Sequence, residues 1–154
     1  MALPRLQLFE FNDSEATPES LRDTVIETLS GVLDEGGVVR ATIPVLESFL
    51  ETSGYDAVLD LCAGAGSPAE IVCREMQADG KRPPHILETD LFPRIEAWSA
   101  AHERRPGSID FVATPVDATN IPPEISAGRA RVIWNAFHHF RPALGTAILR
   151  AAVE

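Results

Sequence analysis

No stretch of the 154 residues holds the run of roughly 20 apolar side chains that a membrane-crossing helix requires. The opening, from Met1 to Glu10, also lacks the long apolar segment and small-residue cleavage site of a secretory leader. A cytoplasmic chain with no membrane contact is therefore expected. Cysteine is scarce. Cys62 and Cys73 are the only two, and their spacing suits neither a metal site nor a disulfide framework. Their apolar neighbours predict plain buried packing, and no metal is expected. Basic residues are outnumbered, 13 against 23 acidic, for a formal net charge of −10. Nucleic acids are held by Lys and Arg that neutralise phosphates, so a polyanionic partner is excluded. Small, neutral or cationic ligands suit such a surface better. Internal repeats and low-complexity segments are missing too, and the Lys81–Pro84 turn is too short to divide domains. What is present, 45% hydrophobic residues in an ordinary globular mixture, is enough for one packed core.

Along the chain, residues 3–13 read as an irregular lead-in, with Glu10 and Asp13 on a solvated face. Thr17-Pro18 reads as a cap with proline at the first helical position. Leu21, Val25, Leu29 and Val32 follow at helical spacing, and Gly36-Gly37 closes that helix. A second helix is predicted from about Ile43 to Glu51, with Leu46, Phe49 and Leu50 on its apolar side and Gly54 ending it. Residues 1–54 thus form a helical lead-in or lid. From Tyr55 the period changes. Ala57–Cys62 is a short apolar run, as expected of a strand buried on both faces. Ser67-Pro68-Ala69-Glu70 reads as a capping box that opens a helix to about Ala78. His85–Asp90 is the next strand, followed by a helix from Pro93 to about Glu103 in which Trp98 and Ile95 share the core side. A third strand starts at Ile109 and reaches Asp117, a fourth covers Arg131–Asn135, and Pro142 opens a last helix. Alternating strands and helices predict an α/β fold with a mainly parallel, Rossmann-like sheet over residues 55–154.

The strongest signal is the strand end Val58-Leu-Asp-Leu-Cys-Ala-Gly-Ala-Gly-Ser67. Glycines let backbone approach a ligand closely, and the following helix N-terminus offers free N–H groups. A nucleotide-like ligand is expected across that turn, at the carboxyl ends of the strands. Gly64-x-Gly66-x-x-Ala69 satisfies a loose dinucleotide fingerprint, and Asp90 follows at a distance suited to a ribose. Asp60 stands against that reading. A carboxylate just ahead of the glycines would oppose a pyrophosphate, whereas a sulfonium cofactor with a cationic amino-acid tail would be attracted to it. The methyl donor is the better match.

Asp60-Leu-Cys-Ala-Gly-Ala-Gly resembles motif I of class I S-adenosylmethionine-dependent methyltransferases, with Cys62 where glycine is more usual. Leu87-Glu-Thr-Asp-Leu91 resembles the second-strand motif, and the resemblance implies that Asp90, with Glu88 as the alternative, holds the ribose hydroxyls. Pro115-Val-Asp-Ala-Thr119 resembles the third-strand motif, implying that Asp117 accepts from the adenine amino group. Asn135-Ala-Phe-His-His-Phe140 resembles the fourth-strand end that lies beside the transferred methyl. The cofactor set implied is Asp60, Cys62, Ala63, Gly64, Gly66, Asp90, Leu91, Asp117, Ala118 and Asn135. The Leu8–Phe11 lead-in is similar to that of a little-described bacterial subgroup. His138 or His139 could serve as a general base. Adjacent residues at a strand end point to opposite sides, so at most one is expected to face the cleft. His85 and His102 carry no motif and are expected at the surface.

The resemblance implies a sheet order of 3-2-1-4, four strands of a seven-stranded fold, and so a truncated chain whose substrate-facing residues are incomplete. The exposed fourth strand would then invite pairing with a second copy. No Asn-Pro-Pro-Tyr or Asp-Pro-Pro-Tyr tetrapeptide follows that strand, which leaves a small molecule or a protein as acceptor. Two other classes stay open: an NAD(P)-dependent oxidoreductase, and a non-catalytic cofactor-binding or interaction module.

Overall fold

A computed structural model describes residues 37–153. The Thr17–Gly36 helix and the Leu8–Phe11 lead-in, with Glu10 and Asp13, lie outside them. The first described helix, α1 (Val38–Ser53), turns its buried side, Val39, Ile43 and Leu46, toward the sheet. It begins five residues before the predicted start and runs through Pro44, and Phe49 is exposed instead of packed. Gly54 ends it as expected, in a left-handed conformation with its N–H on the Leu50 carbonyl at 2.9 Å.

Strand β1 (Ala57–Leu61) leads to α2 (Ser67–Ala78), then β2 (His85–Thr89), α3 (Ile95–Arg104) and β3 (Ile109–Phe111). A single helical turn, α4 (Pro123–Ser126), precedes β4 (Ala130–Val132), and α5 (Pro142–Val153) closes the described part. All ladders are parallel and the order is β3-β2-β1-β4. The architecture is thus α/β and Rossmann-like, with a helical part ahead of the first strand.

Side-chain alternation divides the core into two. Val58, Ile86 and Ile109 pack under α1, α2 and α3, while Leu59, Leu61 and Leu87 pack against Ile125 of α4 and Ile148 of α5. A strand covered on both faces must be apolar throughout, which is why β1 and β2 were legible as continuous runs.

Four expectations need correction. The cap of α2 is a left-handed Gly66 and not Ser67, and Glu70 is held by Nε and Nη2 of Arg104 at 2.8 and 2.7 Å. Helix α3 starts at Ile95, which is exposed, so Trp98 enters the core without it. β3 stops at Phe111. Ala113–Pro115 loop outward before Val116 returns its N–H to the Asp90 carbonyl at 2.9 Å, and Asp117 lies on a loop. β4 stops at Val132, and its outer edge has no strand partner among the described residues. An apolar cavity of about 270 Å³ opens beside that edge, lined by Leu61, Val132, Ile133, Phe137 and Leu149 among others.

Candidate functional site

The turn after β1 is built by backbone geometry that few sequences allow. Cys62, Gly64 and Gly66 all adopt positive φ, at 62°, 57° and 79°. For the two glycines this is unstrained, while for Cys62 it is a local strain of the kind that gathers at functional loops. The second non-glycine residue with positive φ is Asn135, at 53°, just past the end of β4. Asparagine tolerates that region better than most. Because β4 pairs with β1, both unusual residues sit at the same end of the sheet.

A set of hydrogen bonds then fixes the loop. Ala63 N–H donates to the Thr89 carbonyl at 3.0 Å, and Gly66 N–H closes a tight turn onto the Ala63 carbonyl at 2.9 Å. Gly64 is held from both sides: its N–H donates to Asp90 Oδ2 at 2.9 Å, and its carbonyl accepts from Trp98 Nε1 at 3.0 Å. Asp90 Oδ1 accepts the Phe92 N–H at 2.9 Å, so this one carboxylate fastens the glycine loop and the turn after β2 together. Thr89 Oγ1 donates to the Asp60 carbonyl at 2.8 Å, tying the two strand ends. Trp98 is fully buried, and its indole N–H finds the partner such a ring needs. Its part in holding the loop was not foreseen. Nothing in the spacing of a buried helical tryptophan says which carbonyl it will reach.

These bonds also revise what the loop offers. The N–H groups of Ala63, Gly64 and Gly66 are spent inside the protein rather than presented to an anion. Among the described residues a Cβ on Gly64 would meet nothing within 4 Å, so that face of the loop is bare backbone.

The charged groups that act on Cys62 have one sign. Burial, then Asp90, Asp60 and Asp117 in turn, push the Cys62 thiol up to about 12. Three of the four carboxylates singled out by the sequence therefore converge on one loop residue. Such a thiol stays protonated at neutral pH and is a poor nucleophile. Cys73, fully buried under the sheet, is likewise pushed to about 12, chiefly by burial. Cys62 is only partly buried, unlike the plain packing expected of it.

Asp60 and Glu88 lie opposite one another in the β1–β2 register and leave the same face of the sheet. Both are essentially inaccessible, at 1% and 0% exposure. Neither carboxylate has a hydrogen-bond partner among the described residues. Burial, then Glu88, then Asp90, hold the Asp60 carboxyl well above the usual carboxylate range. Burial and then Glu70 push Glu88 up to about 8. Glu88 lies directly beneath Gly66, where a Cβ would overlap its Oε1. It therefore cannot stand in for Asp90 at a ribose, because it points into the core.

The remaining expected residues are scattered in exposure. Asp117 is exposed and bonds Thr119 N–H and Oγ1 at 2.8 and 2.7 Å. Leu91 is exposed and Ala63 and Ala118 are buried. His138 and His139 lie in a 3₁₀ turn, Phe137–His139, and not on a strand. Strand alternation does not apply there, and the two rings rest against each other at 4.1 Å between centroids. His85 and His102 flank the exposed Asp110 at 3.9 and 3.6 Å, far from the glycine loop along the sheet. Among the described residues no cluster of metal-ligating side chains occurs, and no helix is long and apolar enough to cross a membrane.

Comparison with protein-family models, curated proteins and solved structures gives no match.

Proposed function

We propose that the chain binds S-adenosylmethionine at the glycine loop and belongs to an enzyme that transfers its methyl group to a small-molecule or protein acceptor. One observation carries this reading. The carboxyls of Asp90, Asp60 and Asp117 all lie close enough to the loop to act on Cys62, a set that suits a cation better than a pyrophosphate. Two further features fit the same group: the orphaned oxygens of Asp60 and Glu88, and the bare backbone over Gly64.

In this reading Asp90 serves two ends. Its oxygens each hold one backbone N–H, and a carboxylate has lone pairs left to accept from two ribose hydroxyls. Asp117, on the loop after β3, is the acceptor for the adenine amino group. The backbone of Gly64–Gly66 carries the amino-acid tail, whose ammonium is drawn toward Asp60. When bound, the cofactor supplies a methyl group on a good sulfonium leaving group. The protein's share is then orientation and exclusion of water. The paired rings of His138 and His139 form one basic locus at the same end of the sheet, suited to taking a proton from an acceptor that must lose one.

The test is calorimetric titration of the purified chain with S-adenosylhomocysteine, with NAD run alongside. Asp90→Ala is a poor control because it also releases Gly64 and Phe92. Asp117→Ala is cleaner, since its bonds are local to Thr119. S-adenosylhomocysteine is expected to bind, and Asp117→Ala to weaken it up to about tenfold, the worth of one hydrogen bond. Binding of NAD in preference would overturn the reading in favour of an oxidoreductase, and binding of neither would leave the cofactor assignment without support.

A further inference from the structure

The buried pair Asp60 and Glu88 calls for an explanation that packing does not supply. Two carboxyls side by side, with four oxygens and no donor among the described residues, are rare in a protein interior. No cation among the described residues forms a hydrogen bond or ion pair with either of them. On α2, Glu70 is bound by Arg104, and Cys73 holds its proton. Beyond the end of α3, Arg105 donates to Gln77 Oε1. At the end of β2, Asp90 adds a third carboxylate that acts on Asp60. Two like charges in so dry a place cannot both persist, so the pair keeps at least one proton while the loop is empty.

Over Glu88, the loop contributes a residue without a side chain. Gly66, itself buried, lies directly on the Glu88 carboxyl, in a space that a Cβ would fill. A positive group arriving on the loop would favour the ionised form of the carboxyls beneath it.

We propose that the Asp60–Glu88 pair exchanges its proton for the positive charge of an ammonium-bearing ligand at the glycine loop. Binding then releases a proton. This rests on the cofactor reading above and adds a regulatory consequence to it. The balance is simple: a carboxyl becomes a carboxylate, the ligand keeps its ammonium, and the proton passes to the buffer. Occupancy rises with pH through the neutral range, because below it the proton competes with the ligand. Glu88 acts here as a positioning residue through Gly66 and touches no ligand atom.

The experiment is calorimetric titration of the full chain at pH 7 in phosphate and in Tris, whose ionisation enthalpies differ. With S-adenosylhomocysteine the apparent enthalpy is expected to change between buffers by an amount equal to release of about one proton. 5′-Methylthioadenosine, which has no ammonium, should bind with no such difference. Glu88→Gln should still bind S-adenosylhomocysteine but release less than about half as much, with Asp60→Asn as a second variant. Binding whose enthalpy is the same in both buffers overturns the exchange and leaves the cofactor reading standing. Release that persists unchanged in both variants also overturns it, by placing the proton elsewhere. Absence of any binding sinks the cofactor reading and the exchange with it.

Discussion

The centre of the sheet and its β4 edge differ in how firmly they are held. At β1 and β2 three residues are fastened by bonds from another element: Ala63 by Thr89, Gly64 by Asp90 and Trp98, and the Asp60 carbonyl by Thr89. At the β4 side the strand is three residues long, its outer edge is unpaired among the described residues, and the cavity beside it has the exposed Phe137 and Leu149 in its lining. The contrast shows where this fold places its constraint. Backbone cross-links have been concentrated around one loop, and the buried carboxyls that would be hardest to hold lie under that same loop.

The largest expected effect comes from breaking the tight side. Gly66→Ala must both adopt φ near 79° and overlap Glu88, so it should cost about 3 kcal/mol or more. Gly64→Ala has open space at its Cβ and should cost only about 1 kcal/mol. Urea unfolding of the two variants compares them directly. Equal losses would mean that contact with Glu88 contributes nothing. The double variant Gly66→Ala/Glu88→Ala should recover part of the difference, leaving the backbone cost.

A middling effect comes from pH. Glu88 has its carboxyl pushed up to about 8 from an ordinary 4.5, chiefly by burial, and Asp60 is shifted in the same direction. A carboxyl neutral in the folded state but ionised in the unfolded one stabilises the fold fully below about pH 4.5. That contribution declines as pH rises and is gone above about pH 8. Thermal melts of the ligand-free chain should therefore fall between pH 5 and pH 8 by about 5 °C or more, and Glu88→Gln should flatten that slope. A wild-type melt that rises over this range would show that the carboxyl is ionised in the fold.

The smallest effects belong to the open side. Leu149 is 55% exposed at the rim of the cavity, and Leu149→Lys should change stability by less than about 0.5 kcal/mol. Light scattering tests the edge itself. An unpaired apolar strand edge should give a dimer that Leu149→Lys weakens. A monomer at all concentrations would show that the edge is tolerated bare.

The same division separates what was legible from what was not. β1 and β2 were read nearly to the residue because burial on both faces leaves an apolar run with sharp ends. β3 and β4 were read too long. Val112–Asp117 and Ile133–Asn135 look no less strand-like than their neighbours, but each ladder ends one residue before its partner strand does. Asp90 was legible from its position at a strand end, yet its two backbone bonds were not. Glu88 was read as a substitute for Asp90, because alternation alone does not say which face is roofed by a glycine.

From the residues themselves came the order of strands and helices, the parallel sheet, the glycine turn and the acidic character of the loop. These follow from short-range chemistry: periodicity, backbone freedom and charge. The tertiary structure alone decided that the loop's N–H groups are spent internally, that Trp98 locks Gly64, and that Asp60 and Glu88 are buried side by side, with Glu88 beneath Gly66. Those features depend on residues 26 to 34 positions apart meeting at one point, and the positions of such meetings are set by strand register and helix packing, which no local pattern records.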